Sequence, residues 1–346
     1  MKALSELLLS TNGLTKQYGH HKAVDKVNLH IKKGAIYGFI GRNGAGKTTC
    51  LKMISGLARP TAGEIEMFGC KGKELERIRS RVGCLIEAPG LYGNMNAYTN
   101  LKIKCELFGI RKKGYIEDIL ETVGLEGVGK KKTKHFSLGM KQRLGIGLAL
   151  VGEPDLLVLD EPINGLDPQG IAEVRDTIQR LRDERNMTIL ISSHILEELS
   201  KIATDYGIIH NGSLLQELTS EELMKRCSER IEIELIHPEQ AVPILDRMGF
   251  TNYQVTDKSH IHIFERLNES ANVNMELAKA GILVNGISIT SEELETYFLN
   301  LTGGKLNAYY DKNGSVPDGP DKKYVCGMDC DGGSYILLHI HVETGY

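Results

Sequence analysis

The sequence predicts an α/β fold in which helices cover both faces of a parallel sheet, followed by a smaller α+β unit. Two largely apolar stretches, 156–159 and 188–191, alternate with helical patterns. Buried strands of this kind are typical of a sheet covered on both sides. A third strand, 36–40, leads into a glycine-rich turn and an amphipathic helical stretch, 48–57. Alternating apolar and polar residues elsewhere in 7–40 indicate further short strands.

Length and composition fit a globular protein with more than one domain. The chain has 346 residues, of which 41% are hydrophobic and 25% charged, as in ordinary folded proteins. Its net charge of −3 argues against a nucleic-acid partner, which would require a clustered basic excess. Seven thinly spread cysteines indicate reduced thiols in a cytosolic compartment rather than a disulfide framework.

No segment is expected to span a membrane. The apolar run 3–9 is interrupted by Glu6 and lacks a small-residue cleavage site, so it is not predicted to be a signal peptide. The longest uncharged candidate, 144–152, is far shorter than the ~18 residues that a span requires, and fits a buried helix. If the protein acts at a membrane, other subunits must supply the span.

The pattern of predicted helices and strands changes near residue 228, which predicts a domain boundary. After it, the expected order of elements is β-α-β-β-α-β, a ferredoxin-like arrangement, with a final helix over 291–301. The predicted elements are strands 231–236, 252–256, 260–264 and 283–290 and helices 239–248 and 269–281. The expected organisation is therefore a first domain over 7–220, an accessory domain over 228–302 and a tail over 303–346 of unassigned structure.

The strongest local signal is the segment GRNGAGKT at 41–48, a G-x-x-x-x-G-K-T phosphate loop between a strand and a helix. Its backbone N–H groups converge on phosphate oxygens, Lys47 reaches the outer phosphates, and Thr48 offers a hydroxyl to Mg²⁺. A glycine turn that only caps a helix is the alternative, and the strand-turn-helix context disfavours it. The predicted nucleotide-binding residues of this segment are Gly41, Arg42, Asn43, Gly44, Ala45, Gly46, Lys47, Thr48 and Thr49.

Two carboxylates, Asp160 and Glu161, follow the buried strand 156–159. A carboxylate at the end of a parallel strand beside a phosphate loop can hold Mg²⁺, which makes Asp160 a predicted magnesium ligand with Thr48. The next carboxylate, Glu161, is then placed to activate or orient an attacking water. Taken alone, such an acid pair also fits the N-terminal charges of a helix.

Between these elements lies Phe136-Ser137-Leu138-Gly139-Met140, where Ser137 by itself reads as a helix N-cap. Together, however, the elements resemble the ABC ATPase family of P-loop NTPases, whose members carry a Leu-Ser-Gly-Gly-Gln signature at this point. Ser137 and Gly139 match that signature, and the other three residues depart from it. A hydroxyl and a glycine N–H at a helix N-terminus suffice to contact a γ-phosphate.

The resemblance covers residues 7 to about 220 and implies an ABC-type domain with a parallel-sheet core, an antiparallel β subdomain and a helical subdomain. It implies that Tyr18 stacks on adenine, that Asp167 lies in a loop crossing a dimer interface, and that His194 contacts the γ-phosphate and the attacking water. Two of these residues also have ordinary interpretations: Tyr18 as a half-buried strand tyrosine, and His194 as a capping or core histidine.

The resemblance further implies ATP and Mg²⁺ as ligands and a head-to-tail dimer with a second copy or a paralogous subunit. One subunit supplies the phosphate loop and carboxylates, and its partner closes the site with Ser137 and Gly139. The conformational change that accompanies ATP hydrolysis is expected to pass through residues 87–108 to separate membrane permease subunits, at the cytoplasmic face of the membrane. A soluble ABC ATPase, acting in translation, repair or regulation, is the alternative.

Glu87 lies where most family members carry a glutamine that senses Mg²⁺ and contacts the membrane subunit. A Glu there looks like the subgroup of exporters that protect bacteria from lantibiotics and bacitracin-like peptides, so Glu87 is predicted as a magnesium ligand; it also fits a tolerated neighbour of glutamine. In the tail, Cys326, Cys330, His339 and His341 are candidate zinc ligands, although their C-x-x-x-C and H-x-H spacing is not a strong zinc-site pattern.

Overall fold

A computed structural model describes residues 7–291 and 294–302 of the chain. It has two compact units, Met1–Glu292 and Glu293–Tyr346, and the strands of the described ranges form three sheets. The tail 303–346, with its four candidate zinc ligands, lies outside the described residues. The domain boundaries near 220 and 228 stay predictions.

The strands are β1 Leu7–Tyr18, β2 His21–Val27, β3 His30–Lys32, β4 Ile36–Ile40, β5 Ala62–Met67, β6 Cys70–Lys71, β7 Val82–Leu85, β8 Leu156–Asp160, β9 Thr188–Ser193, β10 Asp205–His210, β11 Ser213–Thr219, β12 Arg230–Leu235, β13 Tyr253–Val255, β14 His260–Ile263 and β15 Val284–Thr290. The helices are α1 Lys47–Ile54, α2 Leu75–Ile78, α3 Ala97–Leu107, α4 Tyr115–Thr122, α5 Leu138–Leu150, α6 Pro168–Arg185, α7 Leu196–Ser200, α8 Ser220–Cys227, α9 Val242–Arg247, α10 Ser270–Lys279 and α11 Leu294–Leu301.

The central sheet has the order β11-β10-β4-β9-β8-β7, and all its neighbouring strands from β10 to β7 are parallel. Every residue of β4, β8 and β9 is buried, which confirms the predicted sheet covered on both faces. Since β9 lies between β4 and β8, the loops that follow these three strands meet at one edge of the sheet. The candidate site is built there.

The second sheet is antiparallel, with the order β2-β1-β5-β6 and β3 paired to β1. Where the sequence suggested short strands, β1 is one strand of twelve residues. Irregularities in its register near Leu14 let its first half pair with β3 and its second half with β2. Leu9 and Ile31 of this sheet share one core with Val158 and Leu190 of the central sheet.

The helices α3, α4 and α6 pack against α5, which forms the predicted helical subdomain. The third sheet, β13-β14-β12-β15, has antiparallel neighbours throughout and encloses a core of its own around Ile233, Phe250 and Ile261. This strand order confirms the ferredoxin-like arrangement. The predicted helix 239–248 begins later, at Val242, because Pro243 lacks an N–H and fits only the first helical turn.

No helix of the two described ranges is long and apolar enough to cross a membrane.

Candidate nucleotide site

The phosphate loop joins the buried strand β4 to the start of α1, as the motif predicts. Gly46 caps α1 with φ of 103°, and a Cβ on it would lie 2.4 Å from the carbonyl oxygen of Ala23 in β2. Only glycine fits a position with both a left-handed backbone and such close contact. The loop is also held by hydrogen bonds from Gly41 N to Ser193 O and from Gly212 N to Ala45 O.

Lys47 is the buried cation of the site, with 6% of its surface exposed. Its Nζ donates to the carbonyl oxygen of Gly41 at 2.6 Å and lies 3.0 Å from Glu161 Oε1. A buried ammonium needs partners of this kind because desolvation otherwise disfavours its charge. Lys47 therefore joins the loop after β4 to the loop after β8.

Asp160 and Glu161 are held by one hydroxyl, that of Ser192 at the end of β9. Ser192 Oγ donates to Asp160 Oδ1 at 2.7 Å and accepts from the backbone N–H of Glu161 at 3.0 Å. The same N–H points to Ser192 O at 3.2 Å. These bonds hold Glu161 at φ of 49°, a conformation that non-glycine residues seldom adopt.

The Glu161 carboxylate lies between two side chains from different elements, Lys47 at the start of α1 and His194 just after β9. Its Oε1 faces Lys47, and its Oε2 lies 2.8 Å from His194 Nδ1. Because an ionised carboxylate only accepts hydrogen bonds, the facing Nδ1 of His194 carries the proton. The side chain of Glu161 is 19% exposed and that of His194 32%, so water can reach a carboxylate whose orientation is set by its neighbours.

The residues predicted to hold magnesium supply hard oxygen donors. Thr48 lies in the first turn of α1 and offers a hydroxyl, and the buried Asp160 offers a carboxylate at the end of β8. No group of three His, Cys, Asp or Glu side chains forms a metal cage in the part of the chain that the structure describes. Mg²⁺ fits the pair nonetheless, since it keeps several waters and substrate oxygens and uses one or two carboxylates.

The three residues predicted to act in a partner's site lie together at two helix N-termini. Ser137 caps α5 by accepting from Met140 N at 3.2 Å, and Asp167 caps α6 by accepting from Gly170 N at 3.1 Å. A Cβ added to Gly139 would lie 3.4 Å from the Cα of Gly170. The ordinary N-cap reading of Ser137 thus holds within one chain, and two positive helix ends are brought side by side.

Tyr18 ends β1 opposite His21, at the hairpin to β2. The residue is 53% exposed, and Lys16 Nζ lies 5.0 Å from the ring centroid. Because β2 also supplies the Ala23 carbonyl that touches the phosphate loop, this hairpin lies next to the loop. Arg42 and Asn43 are exposed at the outer side of the loop, and Thr49 is half-buried.

Glu87 follows β7 and has φ of 63°. Its Oε1 lies 2.5 Å from Lys52 Nζ on α1, and 65% of its side chain is exposed. The hydrogen bond that Lys52 donates to Glu87 raises the pKa of Lys52 above its ordinary value. The structure thus ties this carboxylate to the outside of the α1 helix, and its role as a magnesium ligand stays a prediction.

A groove of about 390 Å³ opens beside this loop. Its walls come from residues 84–92, from α3 and from α5, and Leu57, Leu107 and Phe108 lie exposed around it. At Gly145 in α5, an added Cβ would lie 2.8 Å from Pro89 Cβ. Glycine there lets the loop that contains Glu87 pack directly on the helix that begins at the signature.

Two positioning residues of this region, Ser192 and Lys52, are not among those predicted from the sequence. A hydroxyl at the end of the buried strand 188–191 was a usable signal for Ser192. The partnership of Lys52 with Glu87 had no such signal, because it joins a helix and a loop 35 residues apart.

Comparisons with known proteins agree with this geometry. The family model described as ABC transporter matches residues 24–164. The bacitracin transport ATP-binding protein BcrA of Bacillus licheniformis is 45% identical over 299 residues, 86% of this chain and 98% of that protein. The lantibiotic transport ATP-binding protein SrtF of Streptococcus pyogenes is 44% identical over 211 residues, 61% of this chain and 90% of that protein.

Among solved structures, a bacterial ABC transporter cassette described as dimeric matches with a TM-score of 0.55 and 24% identity, over 61% of this chain and 98% of that one. This likeness supports the fold. With nearly full-length relatives above 40% identity, the chain belongs to the ATP-binding proteins of ABC transporters and is an ATP-hydrolysing cassette of that family.

Proposed function

We propose that this chain powers the export of a peptide antibiotic through separate membrane subunits, hydrolysing Mg-ATP as a head-to-tail dimer. Two relatives, matched over 98% and 90% of their own length, are named for bacitracin transport and lantibiotic transport. The observation that supports ATP hydrolysis is the position of Glu161 between two side chains. Its Oε1 lies 3.0 Å from Lys47 Nζ, and its Oε2 lies 2.8 Å from His194 Nδ1.

In the proposed reaction, the loop amides and Lys47 bind the phosphates, and Tyr18 stacks on the base. Glu161 accepts a proton from the attacking water, and His194 orients that carboxylate through Nδ1. Thr48 and Asp160 would hold Mg²⁺, which when bound neutralises charge on the β- and γ-phosphates. Ser192 keeps both carboxylates in place by its paired hydrogen bonds.

The dimer is proposed because the N-termini of α5 and α6, capped by Ser137 and Asp167, lie side by side in one chain. The positive end of a helix is suited to bind an anion such as a phosphate. A second copy, or a paralogous subunit, would bring these ends to the γ-phosphate of the opposite site. The solved relative described as a dimer fits this arrangement.

The groove beside Glu87 is the proposed contact with the membrane subunit at the cytoplasmic face of the membrane. Its rim exposes large apolar side chains near one another, with Leu107 80% and Leu57 63% exposed, and clustered exposure of this kind often marks an interaction site. From the nucleotide side, α1 reaches this rim through Lys52 and Glu87; from the signature side, α5 reaches it through Gly145 and Pro89. A partner there would contact both halves of the site.

The test is reconstitution with candidate membrane subunits in vesicles. We expect ATP hydrolysis that increases in the presence of bacitracin or a lantibiotic, and not with an unrelated cationic peptide of the same charge. A rate of ATP hydrolysis that none of the peptides changes would exclude a peptide antibiotic as the cargo. A chain that neither binds nor hydrolyses Mg-ATP would exclude the whole proposal.

A further inference from the structure

The loop before α5 carries an exposed basic surface, which consists of Lys130, Lys131, Lys132 and Lys134. In the part of the chain that the structure describes, no carboxylate oxygen lies within 4.0 Å of the Nζ of any of these lysines. Lys131 Nζ lies 5.9 Å from the centroid of the Phe136 ring, and such a contact at an exposed site offsets little of a full charge. The basic surface is therefore not neutralised by the described residues.

The lack of carboxylates around the basic surface has a cause in the sequence. No Asp or Glu occurs between Glu126 and Glu153, and none occurs between Glu87 and Glu106. The whole chain has a net charge of −3, so the positive charge here is local. Like charges this close repel one another, and a negatively charged partner would remove that cost.

Backbone hydrogen bonds join the basic surface to the segment before α3. Thr133 N donates to Met95 O at 2.8 Å. Lys134 N donates to Gly93 O at 2.9 Å. The hydroxyl of Thr133, a residue that is 1% exposed, donates to Tyr92 O at 3.0 Å. Because Thr133 is buried against this segment, the lysines on both sides of it lie at the surface beside residues 92–95.

The joined segment adds aromatic and apolar side chains to the lysines. Tyr92 is 56% exposed, Met95 38% and Tyr98, in the first turn of α3, 40%. Tyrosine is enriched where proteins meet the headgroup region of a bilayer, because its ring is apolar and its hydroxyl is polar. Lysine presents a flexible point charge, whereas the planar group of arginine suits one carboxylate or one phosphate. The combination fits an extended anionic surface better than a single bound anion.

We propose that the basic surface, together with Tyr92, Met95 and Tyr98, binds anionic phospholipid headgroups of the membrane beside the transporter. The inference rests on the proposed function for its direction, because Tyr92 also lines the groove proposed to face the membrane subunit. The lysines would contact the lipid phosphates, and the tyrosine rings would lie at the headgroup level. The cassette would then contact the membrane directly, in addition to its contact with a membrane subunit.

The proposal is tested by sedimentation of the full-length chain with lipid vesicles. Vesicles of phosphatidylcholine alone are compared with vesicles of phosphatidylcholine and phosphatidylglycerol in equal parts. We expect the chain to bind the anionic vesicles at least about tenfold more tightly than the neutral ones. The difference should shrink as the salt concentration is raised, because salt screens exposed charges.

Variants locate the contact. The triple variant Lys130→Gln, Lys131→Gln, Lys132→Gln should weaken binding to the anionic vesicles at least about tenfold, since each lysine close to such a surface strengthens binding about fivefold. Tyr98→Ser should also weaken binding to these vesicles, because it removes an interfacial ring and leaves the charge unchanged. An unchanged affinity of Tyr98→Ser would overturn the part proposed for the tyrosines.

The matched control removes the same charge from other elements, in the triple variant Lys33→Gln, Lys73→Gln, Lys258→Gln. These three lysines are exposed and lie outside both joined segments. Binding of the control to the anionic vesicles should stay within about twofold of that of the unmodified chain, since charges farther than a Debye length from the membrane are screened.

Equal binding to the neutral and anionic vesicles, no binding to either, or equal losses in the two triple variants would each overturn the proposal. So would a single-stranded oligonucleotide that displaces the chain from the vesicles at equal phosphate concentration, which would identify nucleic acid as the partner. Mg-ATP binding and hydrolysis are measured on the same preparations. If they are intact while the vesicles are not bound, the proposed function survives; if they are absent, it fails separately.

Discussion

The loops after β7 and β8 are built alike and differ in what their glutamates contact. These strands are neighbours in the central sheet, and each is followed closely by a glutamate at positive φ, 63° for Glu87 and 49° for Glu161. The Glu161 side chain is 19% exposed and lies between Lys47 and His194, whereas that of Glu87 is 65% exposed and lies against Lys52.

The difference shows that a carboxylate acquires its role from the strand beside it. Strand β8 is adjacent to β9, which supplies Ser192 and His194, and β9 is adjacent to the phosphate-loop strand β4. Strand β7 is at the edge of the sheet, so its loop opens to the groove. We therefore propose that Glu161 serves proton transfer and that Glu87 serves transmission to the membrane subunit.

The largest expected effect is that of Glu161→Gln. Removing the proton acceptor should lower turnover by about 10²- to 10⁴-fold, while ATP binding stays intact because Lys47 and the loop amides remain. Steady-state hydrolysis and light scattering with Mg-ATP measure this, and an ATP-bound dimer should accumulate. A variant with near-normal hydrolysis would remove Glu161 from its role.

The Ser192→Ala substitution should have the next largest effect. It deletes the hydroxyl that holds Asp160 and the Glu161 N–H, so turnover should fall about tenfold, or ~1.4 kcal/mol of barrier, with little change in folding. Ser193→Ala is the control, because Ser193 Oγ serves the N–H of Ile195 instead. Equal losses in both variants would mean that a general disturbance of β9 is responsible.

The same Glu-to-Gln change made at the other loop, Glu87→Gln, should leave hydrolysis within about tenfold of normal, under ~1.4 kcal/mol of barrier. Its carboxylate does not touch Glu161 or Lys47, and an amide can still accept from Lys52. Hydrolysis by this variant is measured beside that of Glu161→Gln. A loss as large as that of Glu161→Gln would erase the distinction between the two loops.

The smallest effect is expected for the free energy of unfolding on breaking the Lys52–Glu87 pair. An exposed pair contributes about 0.2–1 kcal/mol, so Lys52→Met and Glu87→Gln in a double-mutant cycle should show a coupling in that range that decreases with salt. Chemical denaturation measures it. A salt-independent coupling would point to packing rather than charge as the link between α1 and this loop.

Much of the site could be predicted from local sequence. The glycines of 41–46 and the start of α1 depend on backbone conformation within a few residues, and the buried strands 156–159 and 188–191 are visible as apolar runs. The length of β1 was harder to predict, because one strand exchanges neighbours along its course. The later start of the helix at Val242 could have been inferred from Pro243.

By itself the sequence determined the phosphate loop, the two acids after β8 and the order in which the site's elements occur along the chain. The tertiary structure alone decided that Glu161 lies between Lys47 and His194, that Glu87 turns to Lys52, and that Gly145 admits Pro89. Each of these depends on which strands are neighbours and which helix crosses them. Contacts between residues far apart in the sequence form only when the strands of the sheet have assembled, so no local sequence pattern predicts them.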